Sequence, residues 1–514
     1  METHDLLVVG GGILGAACAR EAALDGRSVV LVEAGDLAGG TSSASSKLVH
    51  GGLRYLEHGA LGLVREAVLE RHDLLRTASH LVEPLDFVLP VTRESRHGAL
   101  ATRAALTMYD ALAWPRGIGG HRALDRQEIL SRIPGLRSDG VGCGYLYRDA
   151  RMDDARLCLE VLFDARELGV TILPRTSLVG LRRQDGPDPE NTSWLATLES
   201  NSEAPSPIRA RTVLFCTGVW TDALLEKLGL ATPEPLVSPS RGDHLVYPDW
   251  GLRQAVILPE PGSDRFFFVI PWQGMTLAGT TEDPWSPADG APLPLAAERI
   301  RGWMRTYFPT LEQLPHAAFS GVRPLAHAPG KPLQQASREH RLTRIAADCH
   351  ALVGGKYTTF RAIAAQCRSV WRGTGASRSP GRLLPGAWRD EGESRDALDL
   401  LASWNIEGSS GWPARYGRRL AMVGASLADC RDAGIPAIHR SAATEIVHAM
   451  REEWAGNLVD VAARRTLDAW RPDRGERLVP AMAALVDAGL LDWDATAQAR
   501  SLREWCGLRT GGAS

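Results

Sequence analysis

The sequence predicts an α/β protein: a parallel core interrupted by an antiparallel sheet and followed by a helical domain. Three observations predict it. A strand–glycine–helix–strand–acid run opens the chain between Asp5 and Glu33. Short β-branched and aromatic segments, broken by Pro and Gly, occupy the middle at His244 to Tyr247, Phe266 to Ile270 and Met275 to Ala278. From Leu398 to Trp505 the pattern is helical, with no strand to set against it.

The opening run reads DLLVV, then Gly10-Gly11-Gly12-Ile13-Leu14-Gly15, a small-residue helix, and SVVLVE ending at Glu33. A G-x-G-x-x-G alone is a weak signal. Between a buried apolar strand and a helix, with an acid closing the next strand, it stands in the context a dinucleotide-binding turn requires. Gly10, Gly12 and Gly15 let the backbone approach a pyrophosphate at the positive helix N-terminus. Glu33 then accepts hydrogen bonds from ribose hydroxyls, and no Arg follows it directly to meet a 2′-phosphate. In a nicotinamide enzyme the chain would normally continue into another crossover helix. Here Gly39 to Lys47 is a long polar loop whose hydroxyls and main-chain N–H groups, at Thr41, Ser42 and Ser43, can wrap a larger cofactor.

The remaining elements follow in order. Helices are expected over Ala60 to Ser79, Gly98 to Trp114 and the stretch after Asp149, where Leu157, Val161, Leu162, Ala165 and Leu168 share one face. The strand Val170 to Leu173 precedes a hairpin-like pair, with the polar, Pro-rich segment Asp185 to Pro207 as an exposed insertion. Val213 to Gly218 is an apolar strand ending in Thr-Gly, and Ala351 to Thr359 gives a strand, a Gly pair and a helix start. After Trp371 the composition is that of a linker.

Composition bounds the function. At 514 residues the chain needs two or three domains. A net charge of −3 gives no global field for nucleic acid. The eight cysteines contain no C-x-x-C pair, which argues against a zinc site or a disulfide scaffold, and no metal is expected. No apolar run approaches the ~18–20 residues that span a bilayer, and Glu2 and Asp5 stand where a signal peptide would carry basic charge. The expectation is a cytoplasmic protein, or one lying on the inner face of the cell membrane. Between Cys349 and Arg389 there is no acid, but seven basic residues: Lys356, Arg361, Arg368, Arg372, Arg378, Arg382 and Arg389. Arg361, Arg368 and Arg372 share a helical face, read either as a docking surface for anionic lipid or as a solvated basic face.

The run TSSASSKLVHGGLRYLE, from Thr41 to Glu57, resembles the flavin-binding signature of FAD-dependent glycerol-3-phosphate dehydrogenases of the quinone-linked respiratory type. Further runs resemble the same family: Arg241-Gly242-Asp243-His244, Ser320-Gly321-Val322-Arg323-Pro324-Leu325, Ser337-Arg338-Glu339-His340, the GGKxTTxR-like stretch from Gly354, and Val461 to Thr466 in the helical tail. The resemblance covers essentially the whole chain. It implies a two-domain, amino-acid-oxidase-like flavoprotein fold carrying FAD over residues 1–384, the cofactor domain being discontinuous (about 1–90, 150–235 and 320–384), and a C-terminal helical domain over 385–514.

It also implies the chemistry: oxidation of sn-glycerol 3-phosphate to dihydroxyacetone phosphate by hydride transfer to flavin N5, with electrons passed to a quinone. His244 is expected to take the C2 hydroxyl proton, Arg323 to polarise the developing alkoxide, and Lys356 to stabilise the reduced ring. A phosphate monoester is nearly dianionic at neutral pH, so Arg54, Arg323, Arg338 and Lys356 would grip it, with Tyr55 as a hydroxyl donor. Cofactor contacts are expected from Lys47, His50, Gly51, Gly52, Val179, Gly218, Gly355, Thr358 and Thr359 as well as the glycines and hydroxyls already named. His50 is the second choice for the base. Asp243 replaces the Ser of many relatives and, as a neighbouring carboxylate, is expected to raise the His244 pKa. An oxygen-using oxidase and a flavin redox-responsive binding module are the alternative functions; a homodimer and an anionic membrane surface are further candidate partners.

Overall fold

The computed structural model describes residues 2–184, 192–200, 206–330, 339–371 and 381–510. The insertion between Asp185 and Pro207 and the linker after Trp371 lie partly outside the described residues.

Two sheets organise the chain. In the first, strands Cys349–Gly354, Ile208–Phe215, Thr3–Val9, Val29–Val32 and Thr171–Leu173 lie side by side in that order, all parallel. His340–Ala346 adds an antiparallel edge, and the hairpin Thr176–Gln184 with Ser193–Ser200 joins through Ile208–Ala210. Leu6 to Val9 and Val29 to Val32 are continuous apolar runs because both faces of this sheet are covered. Helix Ile13–Leu24 packs on one face against helix Asp154–Glu167. The helix also starts tight against the preceding turn: a Cβ on Gly15 would lie 1.9 Å from the Gly10 carbonyl oxygen.

The second sheet has ten strands among the described residues and is mostly antiparallel. Val237–Pro248 is central to one end, pairing with Met275–Gly279 and with Ala317–Ala326. At the other end Val82–Thr92 pairs along its length with Val141–Met152. The short strand Leu48–Val49, straight after the polar loop, also pairs with Val141–Met152. The loop is thus slung between the two sheets.

Helix Asp154–Glu167 departs from the one-faced pattern expected of it, since Asp154 to Ala165 are all buried. Its polar side is covered by the C-terminal helices and satisfied with charge. Arg156 pairs with Glu453 at 2.6 Å, Glu160 with Arg419 at 2.7 Å, and Asp164 with Arg20 at 2.5 Å and Arg382 at 2.6 Å. The C-terminal domain is helical throughout its described residues, from Glu391–Trp404 to Ala495–Thr510, around a core that includes Ile446, Leu458, Leu478 and Leu485.

The helical part of the basic segment does not turn its arginines outward. Arg361 is drawn inward toward Glu70 and Asp73, and Arg368 pairs with Asp25 on the helix opposite; both are buried. Arg372 and Arg378 lie outside the described residues. No helix among the described residues is long and apolar enough to cross a membrane.

Candidate active site

A cavity of about 860 Å³ runs between the two sheets. At one end Gly10, Gly12 and Glu33 line it; at the other, His50, Gly355, Lys356 and Thr358. His244 and Arg323, from the second sheet, line the same cavity.

The glycine turn is built to receive a phosphate. Gly12 precedes the helix in extended conformation and offers no side-chain cap. The Ile13 N–H donates to Ser42 Oγ at 2.9 Å, so the polar loop closes over the helix N-terminus. Glu33 accepts from the Gly11 N–H at 2.6 Å and the Gly35 N–H at 2.8 Å, which orients its carboxylate at the end of its strand. Burial pushes that carboxyl above its ordinary value, and the two amide donors oppose the shift. A carboxylate has about four lone-pair sites, so ribose hydroxyls can still bind.

The loop is held from beneath by Asp154, which has no role in the expected site, and by Lys47, which was expected at the cofactor. Asp154 accepts from the Ser45 N–H at 3.0 Å, from the Ser45 hydroxyl at 2.7 Å and from Lys47 Nζ at 2.6 Å. Lys47 also donates to the Ser43 carbonyl at 2.6 Å. Lys47 therefore points into the protein, away from the cavity; a buried acid captures it. Thr41 donates to the Val322 carbonyl at 2.5 Å, tying the loop to strand Ala317–Ala326.

Several expected contacts stand behind the wall instead of forming it. Among the described residues that line the cavity, Gly15, Ser43, Lys47, Gly51, Gly52, Val179 and Thr359 do not appear. Gly51 donates its N–H to Tyr109 Oη at 2.8 Å, within a buried group holding Arg71 and Asp149. Gly52 backs onto Tyr55, and Thr359 donates its hydroxyl to the Lys356 carbonyl at 3.4 Å. On the adenosine side Thr176, Ser177 and Leu178 line the cavity in place of Val179, because the strand is irregular between Leu178 and Gly180.

His244 lies in strand Val237–Pro248 with its ring stacked on Phe319, centroids 4.8 Å apart. Its Nε2 is 2.9 Å from Ser46 Oγ, and Nδ1 is buried with no hydrogen-bond partner among the described residues. Burial, reinforced by the positive charges of Arg323 and Lys47, holds the imidazole well below its ordinary pKa. That reverses the expectation built on Asp243. Side chains alternate along a strand, so Gly242 and His244 face the cavity while Asp243 faces the other way. Its carboxylate accepts from the Ser320 hydroxyl and the Ala296 N–H, both at 2.8 Å, and fastens the loop before helix Ala297–Tyr307.

Arg323 reaches the cavity across Gly242. Its guanidinium donates to Thr280 Oγ1 at 3.0 Å, and a Cβ on Gly242 would lie 2.5 Å from one of its nitrogens. Lys356 follows the paired glycines after strand Cys349–Gly354 and holds Nζ 3.6 Å from the centroid of the Tyr55 ring, a cation–π contact. Arg338 and the Arg54 side chain lie outside the described residues. Gly218 and Thr41 line the cavity as well.

Asp460 and Arg464 of the C-terminal domain also line it. Arg464 pairs with Asp36 and, at 2.5 Å, with Asp460; Arg465 donates to both oxygens of Asp36. Sequence reasoning placed these arginines in the tail and missed their reach to the loop after Glu33, three residues beyond it. Ser46 lies in the same polar loop with no pattern of its own to mark it, and nothing local marks Asp154.

These residues fit FAD. The glycine turn and Ser42 would hold a pyrophosphate, Glu33 and Thr176 to Leu178 surround the adenosine end, and His50, Lys356 and Thr358 border the far end where a ring would lie.

Residues 5–380 match the family model described as DAO, FAD dependent oxidoreductase. A glycerol-3-phosphate dehydrogenase 2 of Mycobacterium tuberculosis is 36% identical over 371 residues, which cover 71% of this chain and 62% of that protein. The match thus spans less than two thirds of that relative's length. A D-erythritol 1-phosphate dehydrogenase of Brucella abortus is 33% identical over 90% of this chain and 94% of its own. Among solved structures, a glycerol-3-phosphate dehydrogenase from Bacillus halodurans complexed with FAD superposes with a TM-score of 0.75, at 22% identity, over 99% of this chain and 95% of its own.

Proposed function

Since the chain belongs to the DAO family of FAD-dependent oxidoreductases, we propose that it oxidises sn-glycerol 3-phosphate to dihydroxyacetone phosphate and passes the electrons to a quinone. FAD, when bound, supplies the acceptor for the hydride that leaves C2. The protein's own groups handle the proton and the charge. His244, kept neutral by burial and by Arg323, takes the proton of the C2 hydroxyl. Arg323, fixed by Thr280, stabilises negative charge on the C2 oxygen as that proton leaves. Lys356 and Tyr55 add positive charge and a hydroxyl near the cofactor, and Arg54 and Arg338 complete the phosphate grip.

One observation carries this reading. A buried imidazole and a guanidinium line the same cavity, placing together the base and the electrophile that alcohol oxidation needs. The Brucella relative supports a second reading, in which the alcohol is a longer polyol phosphate.

Anaerobic titration tests both. Glycerol 3-phosphate should bleach the flavin, and a quinone analogue should restore its colour faster than air does. Bleaching by D-erythritol 1-phosphate but not by glycerol 3-phosphate would transfer the activity to the polyol phosphate. Faster recovery in air would make the protein an oxidase.

A further inference from the structure

Beneath the Gly51-Gly52 turn lies a buried polar group where three elements meet. Helix Leu61–Thr77 supplies Arg71, helix Ala99–Ala113 supplies Tyr109 and strand Val141–Met152 supplies Asp149, and all three residues are buried. Arg71 is ion-paired with Asp149 and donates to the Arg148 carbonyl at 3.2 Å. The Tyr109 hydroxyl donates its one proton to the Asp149 carboxylate, whose oxygens lie at 2.8 and 2.9 Å. In return it accepts from the Gly51 N–H at 2.8 Å and from Arg71 at 3.4 Å. A hydroxyl offers one donor and two acceptor positions. All three are filled, so the oxygen is fixed in place. Burial and the Asp149 charge push the phenol well above its usual pKa, which keeps it a donor.

None of these three residues lines the cofactor cavity. Their reach to it runs through the turn. Gly52 sits against the Tyr55 ring: a Cβ there would lie 2.2 Å from a ring carbon and 3.2 Å from Lys356 Nζ. The Tyr55 N–H donates to the Gly52 carbonyl at 2.9 Å, and Lys356 Nζ stands 3.6 Å from the Tyr55 centroid. Turn, ring and ammonium are therefore one packed unit. The turn's other fastening is longer, since the His50 N–H and carbonyl meet Thr358 Oγ1 at 3.3 and 3.4 Å. The hydrogen bond from Gly51 to Tyr109 is the tighter anchor.

We propose that Tyr109 is a positioning residue for the oxidation: by holding the Gly51 N–H, it sets Tyr55 and Lys356 at the wall of the cofactor cavity. The inference rests on the reading of Tyr55 and Lys356 as groups that face the substrate phosphate and the flavin. Without the hydroxyl, the Gly51 N–H would have to turn to Asp149 Oδ1, which lies 3.5 Å away. A buried donor left unpaired is costly, so the turn would shift and draw Gly52 and Tyr55 with it.

The test is Tyr109→Phe in the holoprotein, which removes one oxygen and keeps the packed ring. Sulfite is the probe. It adds to flavin N5 and leaves the ring anionic, so its affinity reads the positive charge beside the ring with no substrate present. Tyr109→Phe should retain FAD and bind sulfite about tenfold more weakly, and KM for glycerol 3-phosphate should rise by a similar factor. In the Lys356→Met background, adding Tyr109→Phe should lower sulfite affinity no further. A tyrosine that served stability alone would lower the melting temperature and leave sulfite affinity unchanged, which overturns the proposal. An equal fall with and without Lys356 overturns it too, as does loss of FAD from Tyr109→Phe. If glycerol 3-phosphate fails to reduce the wild-type flavin while the sulfite results come out as expected, only the substrate reading falls.

Discussion

Ser46 Oγ lies 2.9 Å from His244 Nε2, although 198 residues separate the two in sequence. The hydroxyl belongs to the loop that closes over the helix N-terminus, the imidazole to the second sheet, so one hydrogen bond ties that loop to the proposed base. Removing it in Ser46→Ala should leave FAD absorbance intact and slow flavin reduction by roughly tenfold to a hundredfold. Stopped-flow reduction at saturating substrate measures it; an unchanged rate would take Ser46 out of the positioning of His244.

The depressed pKa of His244 fixes the pH behaviour. A His whose folded pKa lies below its unfolded value of 6.5 favours the folded state above about that pH. Its contribution is lost as pH falls from there toward the folded value. With His244 as the proposed base, the acid limb of the reduction rate should lie well below pH 6.5. Asp243→Asn should not move that limb, because the carboxylate faces Ser320 and Ala296. A shift with this variant would restore electrostatic coupling between the neighbours.

Gly242→Ala should displace the Arg323 guanidinium, since the new methyl would lie 2.5 Å from it and 2.4 Å from Thr280 Oγ1. Both neighbours are side-chain ends, so the protein should fold and keep its flavin. Loss of a positioned donor at a developing oxyanion costs on the order of a hundredfold to a thousandfold in rate. Steady-state kcat should therefore drop far more than thermal stability does.

Lys47→Met leaves Asp154 as a buried acid without its cation. Breaking one side of such a pair costs about 3–5 kcal/mol, and the side chains here are 1% and 0% exposed. Chemical denaturation should register the loss. The double variant Lys47→Met/Asp154→Leu should recover part of it, though not the hydrogen bonds that Asp154 accepts from Ser45.

What the sequence made legible was local. The strand, three glycines, helix and closing acid lie within about thirty residues, and short-range rules suffice for them. The orientation of Asp243 was also available, because alternation from Gly242 to His244 sets it on the far side of the strand. Lys47 was not legible as an internal anchor, since its partner is 107 residues away and carries no motif. The same holds for helix Asp154–Glu167, whose charged side looks solvated until the C-terminal domain supplies Glu453 and Arg419. Arg361 and Arg368 looked like an outward basic stripe for the same reason: their acids, Glu70 and Asp25, come from other helices.

Arg464 and Arg465 grip Asp36, so the dinucleotide end of the cavity gains its last wall from residues more than four hundred positions downstream. During translation the first sheet can assemble early, yet its ligand cannot be sealed in until nearly the whole polypeptide has left the ribosome. Nascent chains that stop before this latch should emerge colourless, and Arg464→Ala in the finished protein should shed its yellow chromophore on dilution or mild heating before the helices melt.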